Sequence, residues 1–201
     1  MKKILVTGFT PFGKIRVNPS QLVLEKLATD NARSARRYEV VTGLLPVEYA
    51  RATAQMKRLL RREHPDAVVC LGVAGGRKDI CLERIALNLD DEPLADNAGV
   101  VRRDRAIAPA GPPLYRSTLP LANLLKSLQA AHIRARISNH AGTYLCNHIF
   151  YVARHATDCQ ATPTGFIHLP PLPTKLNPGM SLATMHRAVR LCLDTLANHQ
   201  K

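Results

Sequence analysis

The chain has 201 residues, 46% of them hydrophobic and 21% charged, a globular balance that excludes wholesale disorder, collagen-like repeats and coiled coils. The 28 lysines and arginines against 15 acidic residues leave a net charge of +13, yet the positives are scattered in small groups and aromatics make up only 4%. Neither a basic tail nor a stacking platform for single strands is present, so the charge reads as an arginine-rich solvated surface and no specific nucleic-acid partner is expected.

Five cysteines, Cys70, Cys81, Cys146, Cys159 and Cys192, are odd in number and form no C-x-x-C pair. A disulfide framework, a zinc ribbon and a thioredoxin-like motif are unsupported, and a reducing compartment fits. No apolar run approaches the roughly 18 residues of a membrane span, and Ile4-Leu5-Val6 is too short for a secretory h-region. The expectation is a cytoplasmic protein that does not engage a membrane.

In chain order, Lys2 to Thr7 is short, apolar and stopped by Gly8, the look of a buried strand. Gly8-Phe9-Thr10-Pro11-Phe12-Gly13 is a turn-rich loop holding two of the four phenylalanines. Asn18-Pro19 reads as N-cap and first position of a helix to about Leu27. A polar connector, Asp30 to Arg37, leads to a strand at Tyr38 to Leu44 and a helix at Val47 to Glu63 closed by Pro65. Asp66 to Gly72 repeats the pattern of an apolar strand running into glycines, and Arg84 to Leu89 suggests another strand. Asp90 to Pro113 reads as a long charged loop, Pro120 to Ala131 as a helix and Arg134 to Ser138 as a short strand. A helix begins at Thr143 or Tyr144, Gly165 to Leu169 forms the last strand, and Ser181 caps a final helix through Ala197. Strands alternating with helices, the strands almost continuously apolar, predict one α/β domain over residues 1–201: a three-layer α/β/α sandwich on a mostly parallel sheet.

The glycine turns lack the spacing of a dinucleotide fingerprint, and no G-K-[ST] follows them, so no cofactor is expected. Ser138 to His148 is more informative, because it puts Cys146 at the start of a helix just after a strand and a glycine turn. Free backbone N–H groups and the helix dipole there favour an anion such as a thiolate. His168, at the end of an apolar strand, is the base best placed to meet it. His140, His148 and His155 are irregularly spaced and lack a second thiolate, so no metal is expected. Glu83 would complete the set by orienting the imidazole; alone it would read as a surface partner of Arg84.

Three blocks carry a family resemblance. They are Thr7-Gly8-Phe9-x-Pro11-Phe12-Gly13 with Asn18-Pro19-Ser20; Gly72-x-Ala74-Gly75-Gly76-Arg77 through Glu83-Arg84-Ile85-Ala86-x-Asn88; and Ala141 to His148 with Gly165-Phe166-Ile167-His168. In this order they resemble pyroglutamyl-peptidase I, a cysteine peptidase family, over essentially the whole chain. The resemblance implies an α/β/α domain, commonly tetrameric, that hydrolyses N-terminal pyroglutamyl residues from peptides. It implies Cys146 as nucleophile, His168 as general base and acid, and Glu83 as the orienting carboxylate. Phe9 and Phe12 would line the slot for the lactam ring, and Asn18 would brace their loop. No cofactor or metal is implied.

The chain departs from the family pattern at four places: Lys14 follows Phe-Gly in place of a second glycine, Val73 replaces a glutamine, Cys81 a small hydroxyl residue, and Pro93 an arginine associated with the oxyanion site. Loss of one oxyanion donor costs about 100- to 1000-fold in rate. The alternative is therefore a weakly active or non-catalytic homologue acting as a basic binding protein.

Overall fold

The computed structural model describes residues 1–13, 15–31, 38–175 and 177–198. Lys14 and most of the Asp30–Arg37 connector lie outside them. The elements are β1 (Lys2–Phe9), α1 (Pro19–Asn31), β2 (Tyr38–Leu45), α2 (Tyr49–Glu63), β3 (Ala67–Val73), β4 (Ile80–Leu87), β5 (Asp90–Glu92), β6 (Arg102–Arg105), β7 (Leu114–Arg116), α3 (Leu121–Ala130), β8 (Ala135–His140), α4 (Leu145–Ala156), β9 (Thr164–Leu169) and α5 (Leu182–Asn198).

A seven-stranded sheet runs β2-β1-β3-β9-β4, parallel through β9. β4 is antiparallel to β9 and, further along, to β7; its other edge pairs with β8 in parallel. β1, β3 and β9 have neighbours on both edges and helices over both faces, which is why their sequences are unbroken apolar runs. The two-residue period of a strand then sorts side chains between the layers. Ile4, Val6, Val69, Leu71, Ile80, Leu82, Ile167 and Leu169 pack with α1, α3 and α5. Leu5, Val68, Cys70 and Phe166 pack with α2 and α4 on the opposite face. Glu83 follows Leu82, and His168 lies two residues after Phe166, so both belong to the α4 face.

The caps expected from sequence are present. Asn18 Oδ1 accepts the Ser20 N–H at 3.1 Å, and Ser181 Oγ accepts the Thr184 N–H at 3.1 Å. Two expectations need correction. The strand expected at Arg84 to Leu89 runs from Ile80 to Leu87, so Glu83 sits in mid-strand. The long charged segment after Asp90 is not all loop: β5 and β6 form a two-stranded ribbon. Arg102 Nη1 reaches Asp90 Oδ2 at 2.7 Å and Arg103 Nε reaches Asp91 Oδ1 at 2.8 Å across it. Ion pairs rather than apolar alternation set its register, which hides the strands from a hydropathy pattern.

Candidate active site

Glu83 and His168 meet because β4 and β9 are antiparallel neighbours. Cys81 pairs with His168 and Glu83 with Phe166, so Glu83 and His168 are diagonal partners on one face. His168 Nδ1 lies 2.8 Å from Glu83 Oε1. The carboxylate fixes Nδ1 as the protonated nitrogen and leaves Nε2 with its lone pair. Glu83 is completely buried and His168 is 4% exposed. Burial disfavours the imidazolium and lowers the basicity of His168, while the Glu83 contact opposes this. Glu83 does not pair with Arg84, whose guanidinium donates to Asn139 Oδ1 at 3.1 Å. Its cationic partner is Arg77, which reaches the same Oε1.

Cys146 is the second residue of α4. Gly142, at φ +84°, makes the turn out of β8. Tyr144 is an extended N-cap with no side-chain cap bond, so first-turn N–H groups beside Cys146 are not claimed by a capping side chain. Asn147 pins this turn to the end of β4: its Oδ1 accepts the Leu87 N–H at 2.8 Å, and its Nδ2 donates to Leu87 O at 2.9 Å and Leu89 O at 3.0 Å. The sulfur comes down over β3 at Gly72, which is the register partner of His168; a Cβ on residue 72 would lie 2.8 Å from Sγ.

The thiol is half-buried, and its burial pushes the Cys146 pKa up to about 12, with Glu83 adding to the rise and Arg77 opposing it. The sequence pointed to a thiol acidified by the helix N-terminus; desolvation acts against that effect, and burial opposes the charged forms of Cys146 and His168 alike.

Phe9 ends β1 in the core, 3% exposed, its N–H donating to Ser20 Oγ at 3.0 Å. Phe12 packs at the edge of the same cluster, its ring centroid 6.2 Å from that of Tyr144, two residues before Cys146. Asn18 Nδ2 donates to Thr10 O at 3.1 Å, so the cap also braces this loop. The segment containing Pro93 lies nearby: Tyr144 Oη donates to Ala95 O at 3.0 Å and Asn97 Nδ2 to Pro11 O at 3.0 Å. Val73 is buried at the end of β3, and Cys81 Sγ donates to Asp79 O at 3.4 Å.

The other histidines have separate partners. His140 Nδ1 accepts the Gly142 N–H at 3.2 Å, His155 Nδ1 lies 2.7 Å from Tyr115 Oη, and His148 bridges Asp90 at 2.9 Å and Thr53 at 2.7 Å. Among the described residues no cluster of three His, Cys, Asp or Glu side chains could hold a metal. A cavity of about 1350 Å³ opens between α2 and α4, lined by Thr53, Lys57, His148, Tyr151 and His155; neither Cys146 nor His168 lines it. Sequence reasoning missed Arg77 and Ser138 at the site. The Gly75-Gly76-Arg77 turn was visible in the chain, but nothing local to it points at Glu83.

A family model described as pyroglutamyl peptidase matches residues 2–199. The chain is 38% identical to a pyrrolidone-carboxylate peptidase of Pseudomonas fluorescens (strain SBW25), covering 97% of this chain and 94% of that protein. It is 36% identical to one from Bacillus cereus (strain Q1), covering 96% and 92%. The crystal structure of pyroglutamyl peptidase I from Bacillus amyloliquefaciens superposes with a TM-score of 0.92 at 32% identity, covering 99% of this chain and 98% of that one.

Proposed function

Since the chain belongs to the pyroglutamyl peptidase family, we propose that Cys146, His168 and Glu83 form its catalytic triad, with Phe9 and Phe12 lining the slot for the substrate's lactam ring. The chain is a cysteine-type hydrolase that removes N-terminal pyroglutamate from peptides. The observation that carries the residue assignment is the buried Glu83–His168 pair, 2.8 Å between Oε1 and Nδ1, on the sheet face covered by the helix that bears Cys146.

As Cys146 Sγ attacks the carbonyl carbon linking pyroglutamate to the next residue, its proton passes to His168 Nε2. Glu83 stabilises the imidazolium through Nδ1–H. The tetrahedral oxyanion takes hydrogen bonds from the backbone N–H of Cys146 and its neighbours at the start of α4. The C–N bond then breaks, the departing amine receives the proton from Nε2, and a thioester remains. Water attacks the thioester and gives one proton to His168 Nε2; the C–S bond then breaks, the sulfur takes that proton back from Nε2, and free pyroglutamate and the thiol are released. The lactam is small, flat and uncharged, and the apolar rings of Phe9 and Phe12 match those properties.

Hydrolysis of a chromogenic pyroglutamyl anilide tests this reading. Purified protein should release the chromophore only while its thiol is reduced, and Cys146→Ala should stay folded and inactive. No thiol-dependent release by the wild type would overturn it.

Two further properties are proposed with the function. Assembly as a homotetramer is supported by exposed Leu94, Val100 and Val101 after β5 and is tested by light scattering against the 22.1 kDa chain mass. A cytoplasmic location is supported by five unpaired cysteines, and no helix among the described residues is long and apolar enough to cross a membrane. Cell fractionation tests it.

A further inference from the structure

Arg77 follows the Gly75-Gly76 turn between β3 and β4, its N–H donating to Ala74 O at 3.1 Å. Its side chain reaches back across β4 toward β8, where Glu83 and Ser138 are register partners. Nη1 contacts Glu83 Oε1 and donates to Ser138 Oγ at 3.2 Å, and Nη2 donates to His140 O at 3.4 Å. The guanidinium is thus held at three points. Its side chain is 24% exposed, against none for Glu83.

A carboxylate with no water contact is costly unless paired. Here Arg77 and His168 Nδ1–H converge on one oxygen, Oε1, while Oε2 is buried without a partner. The imidazole alone would have to balance the charge. With a cation on the same oxygen, the carboxylate is compensated before His168 takes up a proton, and its rotamer is fixed by a planar fork anchored in β8.

We propose that Arg77 is a positioning residue of the triad, acting through Glu83 to balance its buried charge and to aim Oε1 at His168 Nδ1. This rests on the triad assignment above and extends it to a residue that contacts neither the sulfur nor the imidazole by hydrogen bond. The charge of Arg77 also opposes protonation of His168 and favours the thiolate of Cys146. The charged groups acting on His168 are Glu83 from β4 and Arg77 from the turn; its register partners are Cys81 on β4 and Gly72 on β3, and the Cys146 sulfur of α4 lies over Gly72.

The test is carbamidomethylation of Cys146 by iodoacetamide at a fixed pH of about 8, timed from the mass of the Cys146 peptide, for wild type, Arg77→Gln and Arg77→Lys. Removing the charge should slow alkylation about tenfold, through a smaller thiolate population. In Arg77→Lys, the rate should stay at the wild-type value, because the charge is retained. With a pyroglutamyl anilide, the acid limb of kcat/KM should move upward in Arg77→Gln, and Arg77→Lys should lose kcat through loss of the planar fork. An unchanged alkylation rate in folded Arg77→Gln overturns the proposal. Should that variant fail to fold, an Arg77→Lys protein with wild-type kcat overturns it instead. If the wild type alkylates normally but cleaves no pyroglutamyl substrate, the functional reading fails while the alkylation rates still decide the role of Arg77.

Discussion

Gly72 of β3 lies directly under the sulfur of Cys146: a Cβ added there would stand 2.8 Å from Sγ and 2.7 Å from Cζ of Phe166. Neither neighbour can yield easily, since Phe166 is buried between β3 and α4 and Cys146 is fixed by the first turn of its helix. Gly72→Ala should therefore displace the nucleophile as well as overpack the core. A stability loss of about 1–3 kcal/mol is expected from urea unfolding, and a fall in kcat of about 100-fold, the cost of misplacing a reacting atom by an ångström. Wild-type kcat in this variant would mean that the sulfur does not work from this position.

Glu83→Gln keeps the shape of the side chain while removing its charge. The amide can present its NH2 group to Nδ1, which favours the wrong imidazole tautomer and takes the lone pair away from Nε2. A loss of about 10,000-fold in kcat is expected on that ground, with little change in KM. Steady-state kinetics on a pyroglutamyl anilide check it, and a loss confined to KM would remove Glu83 from the triad.

The acid limb of kcat/KM should lie below about 6.5, the ordinary imidazole value, because burial lowers the basicity of His168. The folded protein then binds this proton more weakly than the unfolded chain. The corresponding stability is fully present above about 6.5 and is lost as pH falls through the folded-state value. Melting temperature should fall on acidification over that window, and His168→Gln should flatten the slope. A limb above neutrality would show that the Glu83 contact outweighs desolvation.

The strands β1, β3 and β9 were legible because each is an apolar run ending in a glycine or proline turn, whereas the face of Glu83 was not, since the strand expected at Arg84 to Leu89 begins earlier, at Ile80, and takes Glu83 into it. The end of β9 and the start of α4 were also visible in Gly165 to Pro170 and Ala141 to Cys146. Contacts that join distant segments through polar groups were not. Arg77 finds Glu83 only because β4 places it beside β8, and Asn147 finds Leu87 and Leu89 across the sheet. The burial of the thiol was likewise invisible, since a helix start reads the same whether or not a sheet lies beneath it.

Buried Asp90 and His148 form a second relay with half-buried Thr53, with Arg102 closing on Asp90 and lying 4.2 Å over the Tyr49 ring. It ties the β5–β6 ribbon to α2 and α4 and touches none of the proposed triad. Asp90→Ala strips both cationic and imidazole partners at once and should cost about 3–5 kcal/mol. His148→Ala leaves the Arg102 pair in place and should cost about 1–3 kcal/mol. Urea unfolding separates the two, and kcat of the folded variants should change far less than their stability. A catalytic loss larger than the stability loss would give this relay a role in the reaction.

Pro93 stands in the segment whose Ala95 carbonyl is bound by Tyr144, close to the start of α4, at the position where the family resemblance implies an arginine. Proline brings neither a side-chain donor nor an N–H, so the oxyanion depends on the N–H groups beside Cys146. Pro93→Arg supplies a guanidinium on a stem long enough to reach toward that turn from an exposed position. Because a donor aimed at the oxyanion acts mainly in the transition state, kcat should rise, by as much as about 100-fold, while KM changes little. An unchanged kcat would show that the helix N–H groups already saturate the oxyanion. A fall in KM without a gain in kcat would place the new arginine on the ground-state substrate instead.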